Sequence, residues 1–143
     1  MSKPSRPSIG EITLVLSHIA DRVADDPSPR LDPILGASLR SSLEELERFI
    51  PGLEAPPDAE AARFFRRACE AAIHDGLHRD ALARALRGLS FAPHDPNLHH
   101  LAACACFELG AVHEAVLLLS HALWIHPGHA EARRDLLTFA APD

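Results

Sequence analysis

Four chemically different residues recur at one fixed distance along this chain. Gly76 and Gly110, Ala81 and Ala115, Leu89 and Leu123, and Pro93 and Pro127 are each separated by 34 positions. An offset shared by four residue types leaves the fold little freedom, because each type has a different mechanical task. Gly supplies the left-handed backbone that closes one helix and turns the chain into the next. A small Ala lets the second helix approach the first, and Pro stops that helix because it has no N–H to continue the ladder. "HDGLHRDALARALRGLSFAPH", residues 74–94, and "ELGAVHEAVLLLSHALWIHPG", residues 108–128, therefore read as one unit used twice. The unit is the end of a helix, a turn, a second helix and a stop.

Composition agrees with helices throughout. Hydrophobic residues make up 47% of the chain but aromatics only 5%, and Ala and Leu carry most of the apolar mass; both favour helix over strand. The expected class is all-α. A chain of 143 residues is long enough for a real core, burying roughly two thirds of its unfolded surface.

Punctuation along the chain divides it into three parts. Residues 1–8 are Pro- and Ser-rich and are expected to be disordered. Ser8 with Glu11 three residues on forms a capping box, and Ile9, Ile12, Leu16, Ile19 and Val23 repeat at steps of three and four, which makes one apolar stripe. Asp32 caps a second helix with Pro33 in its first turn, and Leu35, Leu39, Leu43, Leu46, Ile50 and Leu53 mark its buried side. Residues 9–55 are thus an N-terminal helical hairpin. "PGLEAPPD", residues 51–58, holds three prolines and reads as a linker. Beyond it, residues 59–140 contain the repeats. Asp58 caps a helix running to about Asp75, and a partner runs to about Ala92. Asp95 and Pro96 start a third that ends at Gly110, its partner reaches His126, and Ala130 to Ala140 forms one more.

The repeated unit resembles the tetratricopeptide repeat, whose period is also about 34 residues. The resemblance covers residues 60–140 and implies two repeats, 62–95 and 96–129, with a closing helix: a short α-solenoid following the N-terminal hairpin. Where the family often has a Trp and a Tyr in the first helix, this chain has Phe65 and Ala72, then His99 and Cys106. Such arrays hold a peptide or helix of a partner on the concave face lined by the first helices. Carried over position by position, the resemblance places Arg63, Arg66, Glu70, Ile73 and His74 in that groove, with Asn97, His100, Cys104, Phe107 and Glu108, and with Glu131 and Arg134 from the closing helix. Arginines there would pair with partner carboxylates, and Ile73 and Phe107 would take apolar anchors. The Lys and Asn clamp with which one subtype grips a C-terminal carboxylate is not expected, since Arg66 and Glu70 stand at two of its places. "HLAACACFELGAVHEA" is also similar to the repeat segment of the small chaperones of bacterial type III secretion. The implied function is a protein-binding adaptor or chaperone. The alternative is a scaffold subunit that self-associates as a homodimer through its N-terminal helices. The hairpin has no matching Gly, Ala and Pro; it is expected to cap the array, to offer a dimer surface or to lie partly in the groove.

Charge and motifs narrow the remaining classes. With 14 Lys and Arg against 20 Asp and Glu, the net charge is −6, which gives no field to draw in nucleic acid or an anionic membrane. Apolar runs such as Ala115 to Leu119 are too short to insert into a bilayer. Three cysteines and no apolar segment near Met1 make a reducing cytoplasm the expected location. No nucleophile elbow, phosphate loop or dinucleotide fingerprint is present, so neither catalysis nor a cofactor is expected. Ten histidines raise a metal site, but no CxxC pair or HExxH helix accompanies them, and they are read as surface histidines of a biased composition. Cys69 and Cys106 fall on packing positions, whereas Cys104 faces the groove.

Overall fold

The computed structural model describes residues 6–52 and 59–141, and among these the chain is wholly helical, with seven α-helices, one short 3-10 turn and no strand. The expected all-α class holds. The helices are α1 (Ile9–Asp25), α2 (Pro33–Leu46), α3 (Ala59–His74), α4 (His78–Phe91), α5 (Pro96–Glu108), α6 (Val112–Ile125) and α7 (Ala130–Phe139), with the 3-10 turn at Ile50–Gly52. Leu53, the linker residues 53–58 with the Asp58 cap, and residues 1–5 lie outside the described residues.

Local chemistry sets the helix ends. Ser8 Oγ accepts from the Glu11 N–H at 3.1 Å while the Glu11 carboxylate accepts from the Ser8 N–H at 3.5 Å, so the capping box opens α1. Asp32 caps α2 by accepting from the Ile34 N–H at 3.0 Å. Asp95 caps α5 through the N–H groups of Asn97 and Leu98 at 2.9 and 3.1 Å. In both helices a Pro occupies the first turn, where its missing donor is not needed.

The 34-residue offset in the sequence is also an offset in backbone geometry. Gly76 and Gly110 have φ of 75° and 80°. Leu77 precedes α4 with φ, ψ of −91°, 71°, and Ala111 precedes α6 with −89°, 69°. Both of those helices have 14 residues. The pairs α3–α4 and α5–α6 are thus the same turn built twice, and each packs as a hairpin across a connection of three residues. Successive pairs are joined by α4 against α5 and by α3 against α5, and α7 closes the series on α6.

The N-terminal hairpin lies behind this series. Helix α1 packs on α4, while α2 and the 3-10 turn pack on α6, so three layers result: α1 and α2, then α4 and α6, then α3, α5 and α7. Of the three placements considered for the hairpin, the groove is not where it lies. Its apolar stripe is used up inside the chain: Ile12, Leu16, Ile19 and Val23 of α1, and Leu35, Leu39, Leu43 and Leu46 of α2, are buried in one core with Leu82, Leu86, Leu89, Leu118 and Leu119. Polar ties reinforce the seam. Arg87 of α4 meets Asp21 of α1 at 2.8 Å, and the Leu31 N–H donates to the Leu109 carbonyl at 2.9 Å.

Candidate functional site

Helices α3, α5 and α7 leave a trough on the face away from the hairpin. Its central concavity, about 490 Å³, is lined by Arg66 and Glu70 of α3, Asn97, His100 and Leu101 of α5, and Glu131 of α7. These side chains meet because α3 packs on α5 and because α7 begins 34 residues after α5, at Ala130 against Pro96. Five of the residues placed in the groove by sequence, Arg66, Glu70, Asn97, His100 and Glu131, are brought together here.

The others are not among its lining residues. Arg63 lines a separate depression on α3 with Glu60, Phe64, Arg67 and Ala68. Ile73 packs against the core, and Phe107 is stacked on Phe139 of α7 at 4.0 Å with the rings 7° from parallel. Those two apolar anchors are therefore covered by the chain's own residues, and Leu101 is the apolar part of the trough. His74, Glu108 and Arg134 are exposed beyond it. Arg66 is not free for a partner's carboxylate either, since its guanidinium stands 3.8 Å from Asp95, the residue that caps α5. Glu70 and Glu131, both exposed, are the carboxylates that face the trough.

Between α5 and α7 lies a compact polar cluster that the sequence did not reveal. His100 Nε2 donates to Asp135 Oδ2 at 2.7 Å, Cys104 Sγ is 3.6 Å from His100 Nε2, and the Cys104 thiol points to Asp135 Oδ2 at 3.7 Å. One ligand-type atom from each of the three lies within 4.8 Å of the others. His100 is buried, and Cys104 and Asp135 are half-buried. Burial, with the Asp135 carboxylate second, pushes the Cys104 thiol up to about 12, so it is a protonated thiol rather than a reactive thiolate. On the far side of the ring, His100 Nδ1 faces Glu131 Oε2 at 4.0 Å. His129 stands beside this cluster with its ring 5.1 Å from that of His100, but both its nitrogens are engaged. Nε2 donates to Asn97 Oδ1 at 3.0 Å, and Nδ1 accepts from the Ala132 N–H at 3.1 Å as the cap of α7.

Asp135, like Leu101 in the trough, is a residue that sequence reasoning missed. Counting by 34, Arg134 corresponds to His100 and Asp135 to Leu101. Leu101 sits on the flank of α5 turned to α3, so its counterpart sits on the flank of α7 turned to α5. The signal was a charged residue at a register position where the previous unit has a leucine.

The histidines also depart from the surface reading. His99 and His121 are fully buried and His100 nearly so, while their rings bridge helices. His99 Nε2 donates to the Pro93 carbonyl at 2.7 Å, and His121 Nε2 donates to Glu47 Oε1 at 3.2 Å. The two rings meet edge to face at 5.5 Å, and each leaves a buried Nδ1 without a hydrogen-bond partner. Burial, and secondly the neighbouring His121, lowers His99 to about 3; burial lowers His121 to about 4. His99 stands where the first unit has Phe65, a place that takes an aromatic-sized ring, whereas His121 stands where the first unit has Arg87. Cys69 and Cys106 are buried thiols, held far from ionisation chiefly by burial.

Among the described residues no helix is long and apolar enough to cross a membrane. Compared with known proteins, the chain matches no family model, and no curated protein sequence is significantly similar to it.

Proposed function

We propose that this protein is a non-catalytic, tetratricopeptide-type binding module of the cytoplasm that holds a segment of another protein in the trough between α3, α5 and α7. The observation that carries this reading is the convergence of five groove positions, taken from three helices spaced by the repeat, on one concavity of about 490 Å³. The twice-built turn at Gly76 and Gly110 supports the repeat assignment. With Arg66 partly buried beside Asp95, the exposed charges are the Glu70 carboxylate and the Glu131 carboxylate, which also faces His100 Nδ1 at 4.0 Å, so the segment it holds carries Lys or Arg beside an apolar residue that rests on Leu101. Within this class, the small chaperones of type III secretion, which shield a subunit before export, are the narrower identity we favour. Nucleic acid has no part in it.

Capture from the source cell followed by mass spectrometry names candidates, and calorimetry with the purified partner segment tests the site. Glu70→Lys and Glu131→Lys are expected to weaken binding about tenfold each, the size of one lost charge-assisted contact of about 1.4 kcal/mol. Arg22→Glu, on the exposed side of α1, is expected to leave it unchanged. Equal affinity for all four proteins rules out the trough. The scaffold alternative draws its contacts from the leucine stripes of α1 and α2, and those are buried against the chain's own helices. A dimer by light scattering that dissociates on Ile34→Lys, at the 70% exposed end of α2, would favour it.

A further inference from the structure

The geometry points to a divalent metal site between α5 and α7, with His100 Nε2, Cys104 Sγ and Asp135 Oδ2 as ligands and zinc as the ion. His100 and Cys104 are four residues apart, so one face of α5 presents both, and Asp135 meets them from α7. Three donors of three kinds, imidazole, thiolate and carboxylate, are the set that borderline-soft zinc accepts.

The distances fit that ion. Bonds of about 2.0 Å to N and O and about 2.3 Å to S at tetrahedral angles put the donor atoms about 3.3–3.6 Å apart. The sulfur lies 3.6 Å from the His100 nitrogen and 3.7 Å from the Asp135 oxygen, close to that spacing. The His100–Asp135 pair, at 2.7 Å, is a hydrogen bond and must open by about 0.6 Å to admit the ion. A carboxylate at the end of a side chain on an exposed terminal helix moves that far by a small change in χ.

Protons and charge balance. Cys104 gives up its thiol proton to solvent, and the His100 proton moves from Nε2 to Nδ1, the nitrogen that faces Glu131 at 4.0 Å. Glu131, exposed and on α7, would have to close by about 1 Å to accept that proton, which would give the carboxylate-backed histidine common at zinc sites. One thiolate, one carboxylate and a dication sum to zero, which suits a half-buried position. His129 contributes no ligand, since Asn97 and the α7 backbone already engage its nitrogens. Three protein donors leave one tetrahedral position for water.

The test uses the full chain, reduced with a phosphine, freed of metal by a chelator, and titrated with cobalt(II) alone. One equivalent is expected to bind, with the visible bands of tetrahedral cobalt and a near-ultraviolet thiolate-to-cobalt band, and zinc is expected to displace it. Cys104→Ser is expected to abolish the thiolate band. Asp135→Asn is expected to weaken binding at least about tenfold. His113→Ala, an exposed histidine elsewhere, is expected to change nothing. Absence of the thiolate band in the intact chain, or its survival in Cys104→Ser, overturns the site and assigns any bound cobalt to surface histidines. Should Cys104→Ser fold poorly, alkylation of the intact chain decides. Zinc is expected to slow modification of Cys104 more than tenfold, and an unchanged rate overturns the proposal. No partner protein enters these measurements, so their failure leaves the trough reading standing and its failure leaves them standing.

Discussion

Gly88 of α4 lies so close to Leu98 of α5 that a Cβ placed on it would stand 2.9 Å from both Leu98 methyl carbons and 2.9 Å from Phe65 Cβ on α3. Three helices cross at this point. The missing side chain sets the distance between the first helical pair and the second, and 34 residues on the corresponding residue is Ala122, fully buried. Gly88→Ala gains about 1 kcal/mol of helix propensity and loses about 1–3 kcal/mol to overpacking. The net expectation is a loss of about 1 kcal/mol, read as a lower urea midpoint with an unchanged slope. A higher midpoint would mean that the crossing is loose.

The two turn glycines separate backbone strain from crowding. Gly76 has open space where a Cβ would go, whereas at Gly110 the Arg30 guanidinium lies 2.7 Å away. Both have positive φ, which costs an L-residue roughly 1–2 kcal/mol. Because Arg30 is the end of a long, exposed side chain, it swings aside at little cost. Gly76→Ala and Gly110→Ala are therefore expected to destabilise by nearly equal amounts, and adding Arg30→Ala to the second should recover less than about 0.5 kcal/mol. Larger recovery in that double-mutant cycle would show Arg30 to be fixed in place.

Acid sensitivity follows from His99 and His121. Their folded-state values, about 3 and about 4, lie below the ordinary histidine value. Above pH about 6.5 both states hold neutral rings and nothing is lost; as pH falls, the unfolded chain takes up protons that the folded chain refuses. At pH 5 the deficit is about 2 kcal/mol for each ring, and it grows until the folded values are reached. Urea unfolding at pH 7 and pH 5 measures it. His121→Phe should flatten the pH dependence by about half, and an equal slope in that variant would refute the assignment.

Removing the N-terminal hairpin is expected to unfold or aggregate the repeats rather than release them. Helix α1 covers α4, and α2 with the 3-10 turn covers α6. Each leucine stripped of cover forfeits about 1.5–3 kcal/mol, and domains hold only about 5–15 kcal/mol in all. A chain beginning at residue 59 should show no cooperative thermal transition by circular dichroism. A sharp transition near that of the full chain would make the repeats self-sufficient.

Much of the fold was legible because it is written in local chemistry. The Ser8–Glu11 box, the Asp32 and Asp95 caps, the prolines that follow them and the two turn glycines act within one helical turn. The order and approximate ends of the helices could therefore be read directly. The trough was half legible: the family resemblance named twelve groove positions, of which Arg66, Glu70, Asn97, His100 and Glu131 line it, but it could not register that Phe139 covers Phe107 or that Asp95 engages Arg66. Those contacts join residues 32 and 29 positions apart, and no local rule carries that far.

By itself, then, the sequence determined which segments are helical, about where most of them begin and stop, and that one turn is built twice; the exception is α2, whose apolar spacing ran on to Ile50 although the helix ends at Leu46 and Ile50 opens a separate 3-10 turn. Those outcomes depend on hydrogen bonds and steric limits between neighbouring residues. Only the tertiary structure decided that the hairpin lies behind α4 and α6 rather than in the groove, that His99 and His121 are buried, and that Asp135 meets His100 and Cys104. The physical reason is rotation about the helix axis. A helix places successive side chains about 100° apart, so which flank faces a neighbour depends on how the whole layer packs.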